Sequence, residues 1–210
     1  MMDRNLGATS ATKGDVGALG LLYQWGRKDP FLGSSSISSN TIAKSTIAWP
    51  LPVSSTAVTG IVDYVTSHPT TFVTGTQSTE YDWQYSSKTL WTPSETAKSI
   101  YDPCPSGWRV PDGGDNGIWS KAGFGYYTTF DSTNEGMSFS ISSPSTWYPA
   151  SGFLGSTSGR LDYVGIRGNY WSASLIWGRS YSLYFTNGCD VDPSVYMSPA
   201  TGLSVRCLQE

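Results

Sequence analysis

Apolar and polar positions in this chain alternate over short runs that break at Gly, Pro and Asn, a pattern that predicts many short strands and little helix. The apolar run Gly17-Ala18-Leu19-Gly20-Leu21-Leu22-Tyr23-Gln24-Trp25 fits a buried helix or a strand equally. Gly60-Ile61-Val62-Asp63-Tyr64-Val65 fits a helical turn or a short strand, ending before His68-Pro69. Residues 33–60 are rich in Ser and Thr and carry Pro50 and Pro52, the pattern of surface loop or short edge strands. From Thr70 to Trp91 threonines alternate with aromatics, and a twisted antiparallel strand pair is expected there.

Asp102 to Pro111 is dense in turn formers around Trp108 and Val110, as an ordered connection would be. Ile118, Trp119, Ala122 and Phe124 then share one helical face, with Asp112, Asp115 and Asn116 ahead of them as capping residues; this is the clearest helix in the sequence. From Tyr126 onward strands are expected at Met137 to Ser142, Trp147-Tyr148-Pro149, Gly152-Phe153-Leu154, Asn169 to Ser174, Ser182 to Phe185 and Gly202 to Cys207. The fold class that follows is α+β: one domain over residues 1–210, an antiparallel sheet with one or two short helices and long loops.

Composition narrows the function classes. The 210 residues are 38% hydrophobic and only 14% charged, which supports a real core and excludes a collagenous or charge-rich disordered chain. With 33 Ser, 22 Thr, 9 Trp, 13 Tyr and 7 Phe, hydroxyls and aromatics replace charge, in the style of an extracellular surface. The net charge of −3 and the scatter of 13 basic residues leave no patch to hold a phosphate backbone, so no nucleic acid partner is expected. No run of 18 apolar residues exists, and Met1-Met2-Asp3-Arg4-Asn5-Leu6 has no signal-peptide character, so direct membrane insertion is not expected. The doubled methionine reads as a start placed before a native Met2, in a domain taken from a longer exported protein.

Candidate chemistry is sparse. Cys104, Cys189 and Cys207 form no CxxC pair and His68 is the single histidine, so neither a zinc site nor another metal or cofactor is expected. His68 precedes a proline in a polar stretch and no GxSxG elbow accompanies it, which makes it a loop histidine and not a catalytic base. Asp112 and Asp115 read as turn and cap formers, with a calcium or acid role as the alternative; Gly113-Gly114-Asp115-Asn116-Gly117 lacks the downstream Glu of a helix-loop-helix calcium site. A bond between Cys104 and Cys207 would tie the last strand to the middle of an exported chain; the alternative is two buried thiols.

Residues 175–198 stand apart. Trp177, Tyr181, Tyr184, Tyr196 and Met197 offer large contact areas among Ser, Asn, Gly and Asp, the chemistry of an antibody-like recognition surface. Leu183, Phe185 and Val191 are assigned to the core. The expected ligand contacts are Trp177, Arg179, Tyr181, Tyr184, Asn187, Asp190, Asp192, Tyr196 and Met197; burial of most of them would overturn the assignment.

Four blocks carry a resemblance: Leu-Tyr-Gln-Trp-Gly-Arg (22–27), Tyr-Asp-Pro-Cys-Pro-Ser-Gly-Trp-Arg-Val-Pro (101–111), Tyr-Trp-Ser-Ala-Ser (170–174) and Gly-Leu-Ser-Val-Arg-Cys (202–207). Together they resemble the major paralogous domain called FISUMP, found on exported proteins of Bacteroides-like bacteria and similar in fold to C-type lectins and formylglycine-generating enzymes. The resemblance implies a C-type lectin-like fold. Residues 170–207 further resemble the variable region of a diversity-generating retroelement target, with a frame at 170–173, 183–185, 191–193 and 202–206 and diversified positions between. Such diversification of an Asn codon yields Cys189 but not Trp177 or Met197.

The implied function is ligand binding, to a protein or glycan not named by the family. The Glu-Pro-Asn, Gln-Pro-Asp and Trp-Asn-Asp strings of calcium-dependent lectins do not occur. Enzymatic activity is not implied either, because Cys207 would be in the disulfide and Cys189 falls in the variable stretch. The first alternative is a structural module of a pilus tip or surface lipoprotein, joined to an upstream pilin-like or lipoprotein segment, and the second is a catalytic domain like the formylglycine-generating enzymes.

Overall fold

The computed structural model describes residues 1–41, 51–79, 81–86, 89–125, 128–139 and 145–210. Parts of the expectations for 33–60, Thr70 to Trp91 and Met137 to Ser142, with Pro50 and Tyr126, lie outside the described residues.

The first strands are β1 (Leu22–Gln24), β2 (Val53–Ser54), β3 (Val73–Thr74) and β4 (Trp108–Arg109). A three-stranded antiparallel sheet follows, from β5 (Thr128–Asp131), β6 (Gly136–Phe139) and β7 (Thr146–Pro149). Then come β8 (Phe153–Leu154), β9 (Leu161–Asp162), β10 (Arg167–Ile176), β11 (Arg179–Thr186), β12 (Val191–Met197), β13 (Gly202–Ser204) and β14 (Leu208–Gln209). The helices among the described residues are short, α1 (Val62–Ser67) and α2 (Ile118–Lys121). The architecture is mostly sheet and α+β-like, and no described helix is long and apolar enough to cross a membrane.

The main sheet runs β12-β11-β10-β13-β8-β9, with β1 also paired to β13. Its pairs are antiparallel except β10 with β13, which meet in parallel at Tyr170 and Ser204. Successive side chains of β10 face opposite ways, and both faces are covered. Tyr170 joins Leu183, Phe185, Phe139, Tyr148 and Trp119 in one cluster, whereas Trp171 and Ala173 join Tyr23, Trp25, Trp91, Val205 and the two cystine residues in another. The expected core assignment of Leu183 and Phe185 holds, and Val191 packs partly buried against them.

Buried tryptophans also satisfy backbone carbonyls, as polar atoms removed from water must. Trp25 donates to Ser172 O at 2.9 Å, Trp171 to Tyr23 O at 2.7 Å, and Trp91 to Tyr101 O at 2.9 Å. Cys104 is bonded to Cys207, and β14 pairs with β4, so the C-terminal strands are fastened to the 101–111 connection at two points. Buried Arg206 donates to Trp147 O and Asn5 Oδ1 while its guanidinium lies 3.9 Å from the Tyr148 ring centre.

The two ambiguous runs resolve differently. Val16–Ala18 is a 3-10 turn followed by strand at β1, whereas 62–67 is helical and ends at His68, which stacks on Tyr64 at 4.2 Å. Two expectations fail. Between Thr70 and Trp91 the described strand is β3, paired in parallel with β2, followed by a 3-10 turn at Gln77–Thr79 in which the Thr79 hydroxyl bonds to the backbone of Thr76 and Asp82. Threonine there serves turns, the alternative bonding that short hydroxyl side chains offer. The helix at 118 is a single turn capped by Gly117 with no side-chain cap bond; Asp115 and Asn116 are exposed, and the Asp112 carboxylate instead accepts from Ser94 N at 3.0 Å and from the Ser94 hydroxyl.

Candidate functional site

The expected contact residues occupy the meander β10-β11-β12, whose last strand is an edge of the main sheet. The frame that holds it is extensively hydrogen-bonded at its bulge. Pairing between β10 and β11 shifts register between Trp171 and Leu175, a bulge that would leave backbone groups unmatched. Serines and neighbours match them: Ser180 Oγ donates to Ser172 O (3.0 Å), Ser172 Oγ to Tyr181 O (2.8 Å), Gly113 N to Ser174 Oγ (3.1 Å) and Ala173 N to Pro111 O (2.8 Å).

Beyond the bulge the hairpin projects. Ile176 pairs with Arg179 across the two-residue turn Trp177-Gly178, whose φ values of 48° and 75° mark a type I′ turn. Gly178 suits that conformation; Trp177 does not, and it is 85% exposed. At the other end of β11 a three-residue loop, Asn187-Gly188-Cys189, closes with Thr186 N donating to Asp190 O at 2.9 Å. Its last residue, Cys189, holds φ 63° where such loops favour Gly, and it is an exposed free thiol.

None of the nine expected contacts is buried: Trp177, Arg179, Asn187, Asp190, Asp192 and Tyr196 are exposed, and Tyr181, Tyr184 and Met197 are half-buried. They do not form one face. Cross-strand partners share a face, so Tyr181 lies with Tyr196, and the Arg179 guanidinium sits 5.6 Å from the Tyr196 ring centre. The Tyr181 ring lies over Gly114, where a Cβ would meet it at 3.1 Å. Tyr184 pairs with Asp192 and Ser180 with Met197 on the opposite face, where Met197 packs against the Trp171 cluster. Trp177 marks one end of the meander, and Asn187 and Asp190 mark the other.

Arg167, a neighbour of Tyr184, escaped the sequence reading, as did Tyr163 and Ile166 beside it. Arg167 opens β10, and its guanidinium lies 3.9 Å from the Tyr163 ring centre and 5.9 Å from that of Tyr184; Ile166 beside it is exposed. No local pattern marks these residues, because the tight turn before β10 and the β10-β11 register bring them together.

Non-glycine residues with left-handed backbone cost about 1–3 kcal/mol each and concentrate at functional sites. Among the described residues they are Tyr81, Glu135, Tyr163, Trp177 and Cys189, and the last three border this meander. Cavities of about 240, 180 and 450 Å3 open elsewhere, the first beside Arg27 and α1, the second beside Met1 and α2, the third beside Arg109 and β14. None of them is lined by an expected contact residue. Among the described residues no group of three or more His, Cys, Asp or Glu is placed to hold a metal ion. No family model, no curated protein and no solved structure matches the chain.

Proposed function

We propose that this protein is an exported recognition domain of C-type lectin-like architecture, of the FISUMP kind, whose β10-β11-β12 meander presents a diversified binding surface to a protein ligand. The observation that carries this reading is the contrast within residues 170–207. Frame positions 170–173, Leu183, Phe185 and 202–206 are buried and Val191 and Pro193 are half-buried, while positions 177–179 and 187–190 are exposed on projecting turns. Side chains at such tips are free to change without disturbing the core.

A protein is favoured over a small glycan because the surface projects and no cavity described above opens on it. Small ligands are usually taken in concave sites, whereas a rigid exposed tryptophan is the anchor type of protein interfaces. The disulfide agrees with an oxidising, extracellular location. Assembly of copies by strand addition at β12 is disfavoured, since Asp192, Pro193 and the register shift between Ser182 and Tyr184 blunt that edge. Thiol catalysis has little support, with Cys207 bonded and Cys189 alone on a turn.

The test is a protein and glycan array probed with the chain and with a variant carrying Ser or Ala at 177, 179, 181, 184, 187, 190, 192 and 196. Binding to one or a few proteins that the variant loses at unchanged Tm is the expected result. Equal binding by both forms would sink the proposal. A near-copy of the codons for 170–207 beside a reverse-transcriptase gene is the expected genomic counterpart, and its absence would remove the diversification part.

A further inference from the structure

The second face of the meander holds a cation that donates no side-chain hydrogen bond to any described residue. The Arg167 guanidinium is stacked against Tyr163 at 3.9 Å and reaches Tyr184 at 5.9 Å. Tyr163 is itself stacked on Phe153, with centroids 5.5 Å apart and planes 16° apart, and Phe153 packs against the Trp171 core cluster. The four side chains make a ladder rooted in the core. Its third rung is held by the backbone too: Arg167 N donates to Tyr163 O at 2.9 Å, closing the turn in which Tyr163 takes φ 62°. A bulky residue in that conformation is a cost, and the stack on Arg167 is what the cost secures.

Stacking occupies the faces of a guanidinium and leaves its five N–H donors radiating in the plane. Among the described residues no acceptor takes a hydrogen bond from the Arg167 side chain and no carboxylate pairs with it. Asp192, which shares the face through its pairing with Tyr184, turns its Oδ1 to Ser194 N at 2.9 Å. Arg179 on the first face likewise lies over a ring, Tyr196 at 5.6 Å, but has no second ring among the described residues, whereas the remaining arginines are used differently and Arg4 pairs with Asp3. Arg27, Arg109 and Arg206 are buried and donate to backbone carbonyls, and exposed Arg160 pairs with Asp162 at 3.5 Å.

We infer that Arg167, held flat by Tyr163 and Tyr184, is an anion-binding clamp that takes a side-chain carboxylate of the protein partner. A planar fork with fixed orientation matches a carboxylate in bidentate geometry. β10 is ten residues long, so Arg167 and the Trp177 turn stand about 30 Å apart. That span suits a standard protein interface better than a sugar residue. The inference rests on the recognition reading above and adds to it a charged contact outside 175–198.

The experiment follows the Arg167 Nε–H resonance by NMR in the full chain while N-acetyl-glutamate N-methylamide is added, with Arg160 as internal control. A saturable shift at Arg167 exceeding that of Arg160, and weakened at least fivefold in Tyr163→Leu, is expected, with the Tyr163 and Tyr184 ring resonances moving in parallel. Arg167→Lys keeps the charge, and loss of the saturable movement of those two rings in that variant, with the rest of the spectrum unchanged, reads the fork and not misfolding. No saturable shift, an equal shift at Arg160, or tighter binding of N-acetylneuraminic acid than of the blocked glutamate would each overturn the clamp. These outcomes leave the array result untouched, because residues 175–198 are unaltered, so the clamp and the recognition surface fail separately.

Discussion

Trp171 and Trp177 belong to one hairpin and have opposite fates. Trp171 is fully buried, packs with Tyr23, Trp25 and Val205, and spends its indole N–H on Tyr23 O. Trp177 is 85% exposed on a backbone conformation that its side chain disfavours. The serines divide in the same way: Ser172, Ser180 and Ser182 are buried and the first two mend a bulge, whereas Ser194 lies half-buried on β12 with its N–H on Asp192. The comparison teaches that residue type does not set the role here. The β10-β11 register does, by carrying the first half of the hairpin between two clusters and the second half past them.

The comparison can be broken most forcefully at Trp171. Trp171→Ala is expected to cost about 3–5 kcal/mol, the range for emptying a large aromatic from a core, read as the midpoint of urea unfolding. A loss below about 1 kcal/mol would show that the frame does not depend on it. The frame also carries buried phenols. Burial raises Tyr170 and Tyr148 above the ordinary 10.0, partly offset by the nearby Arg206 charge. The folded state therefore holds these protons more tightly than the unfolded chain, and the stability they confer is intact below pH 10.0 and lost as pH rises beyond it. Tm measured between neutral pH and pH 11, with phenolate absorbance recorded alongside, should show ionisation of these groups only on unfolding.

Ser180→Ala sharpens the boundary between the two halves. It leaves Ser172 O with one donor fewer and is expected to cost about 1–2 kcal/mol, with hydrogen exchange quickening around Leu175. An unchanged exchange pattern would mean that the bulge is held by the bonds of Ser172, Ser174 and Ala173 without Ser180. The smallest effect is expected at the tip, with reversed sign. Trp177→Asn places the preferred Asn-Gly pair in a type I′ turn and should stabilise the chain by about 0.5–1 kcal/mol, the scale of a relieved backbone conflict, while removing ligand binding. Destabilisation would show that the indole packs on the domain after all.

Much of the frame was legible in the sequence because burial leaves a periodic trace. Leu183 and Phe185 alternate with polar neighbours, 202–207 reads as a strand, and Cys104 and Cys207 sit in hydrophobic settings that imply order. The parallel contact of β2 with β3 was not legible, since two residues on each strand carry no period. Asp112 was assigned to the helix ahead of it because capping is a local rule, yet its carboxylate serves Ser94, a partner set by the fold. For the nine candidate residues, exposure was legible but arrangement was not. Composition marks the nine residues as surface; only the register places Tyr181 and Tyr184 on opposite faces and brings Arg167 to Tyr184.

The main-chain closure of the β10-β11 turn has a practical consequence. Ile176 and Arg179 are joined through backbone pairing, and Gly178 supplies one of the two left-handed conformations, so the loop's trajectory asks of residue 177 a positive φ and little else. A combinatorial library randomised at 179, 187, 190 and 196, with 177 restricted to residues that accept a left-handed backbone, would then sample many surfaces on one backbone.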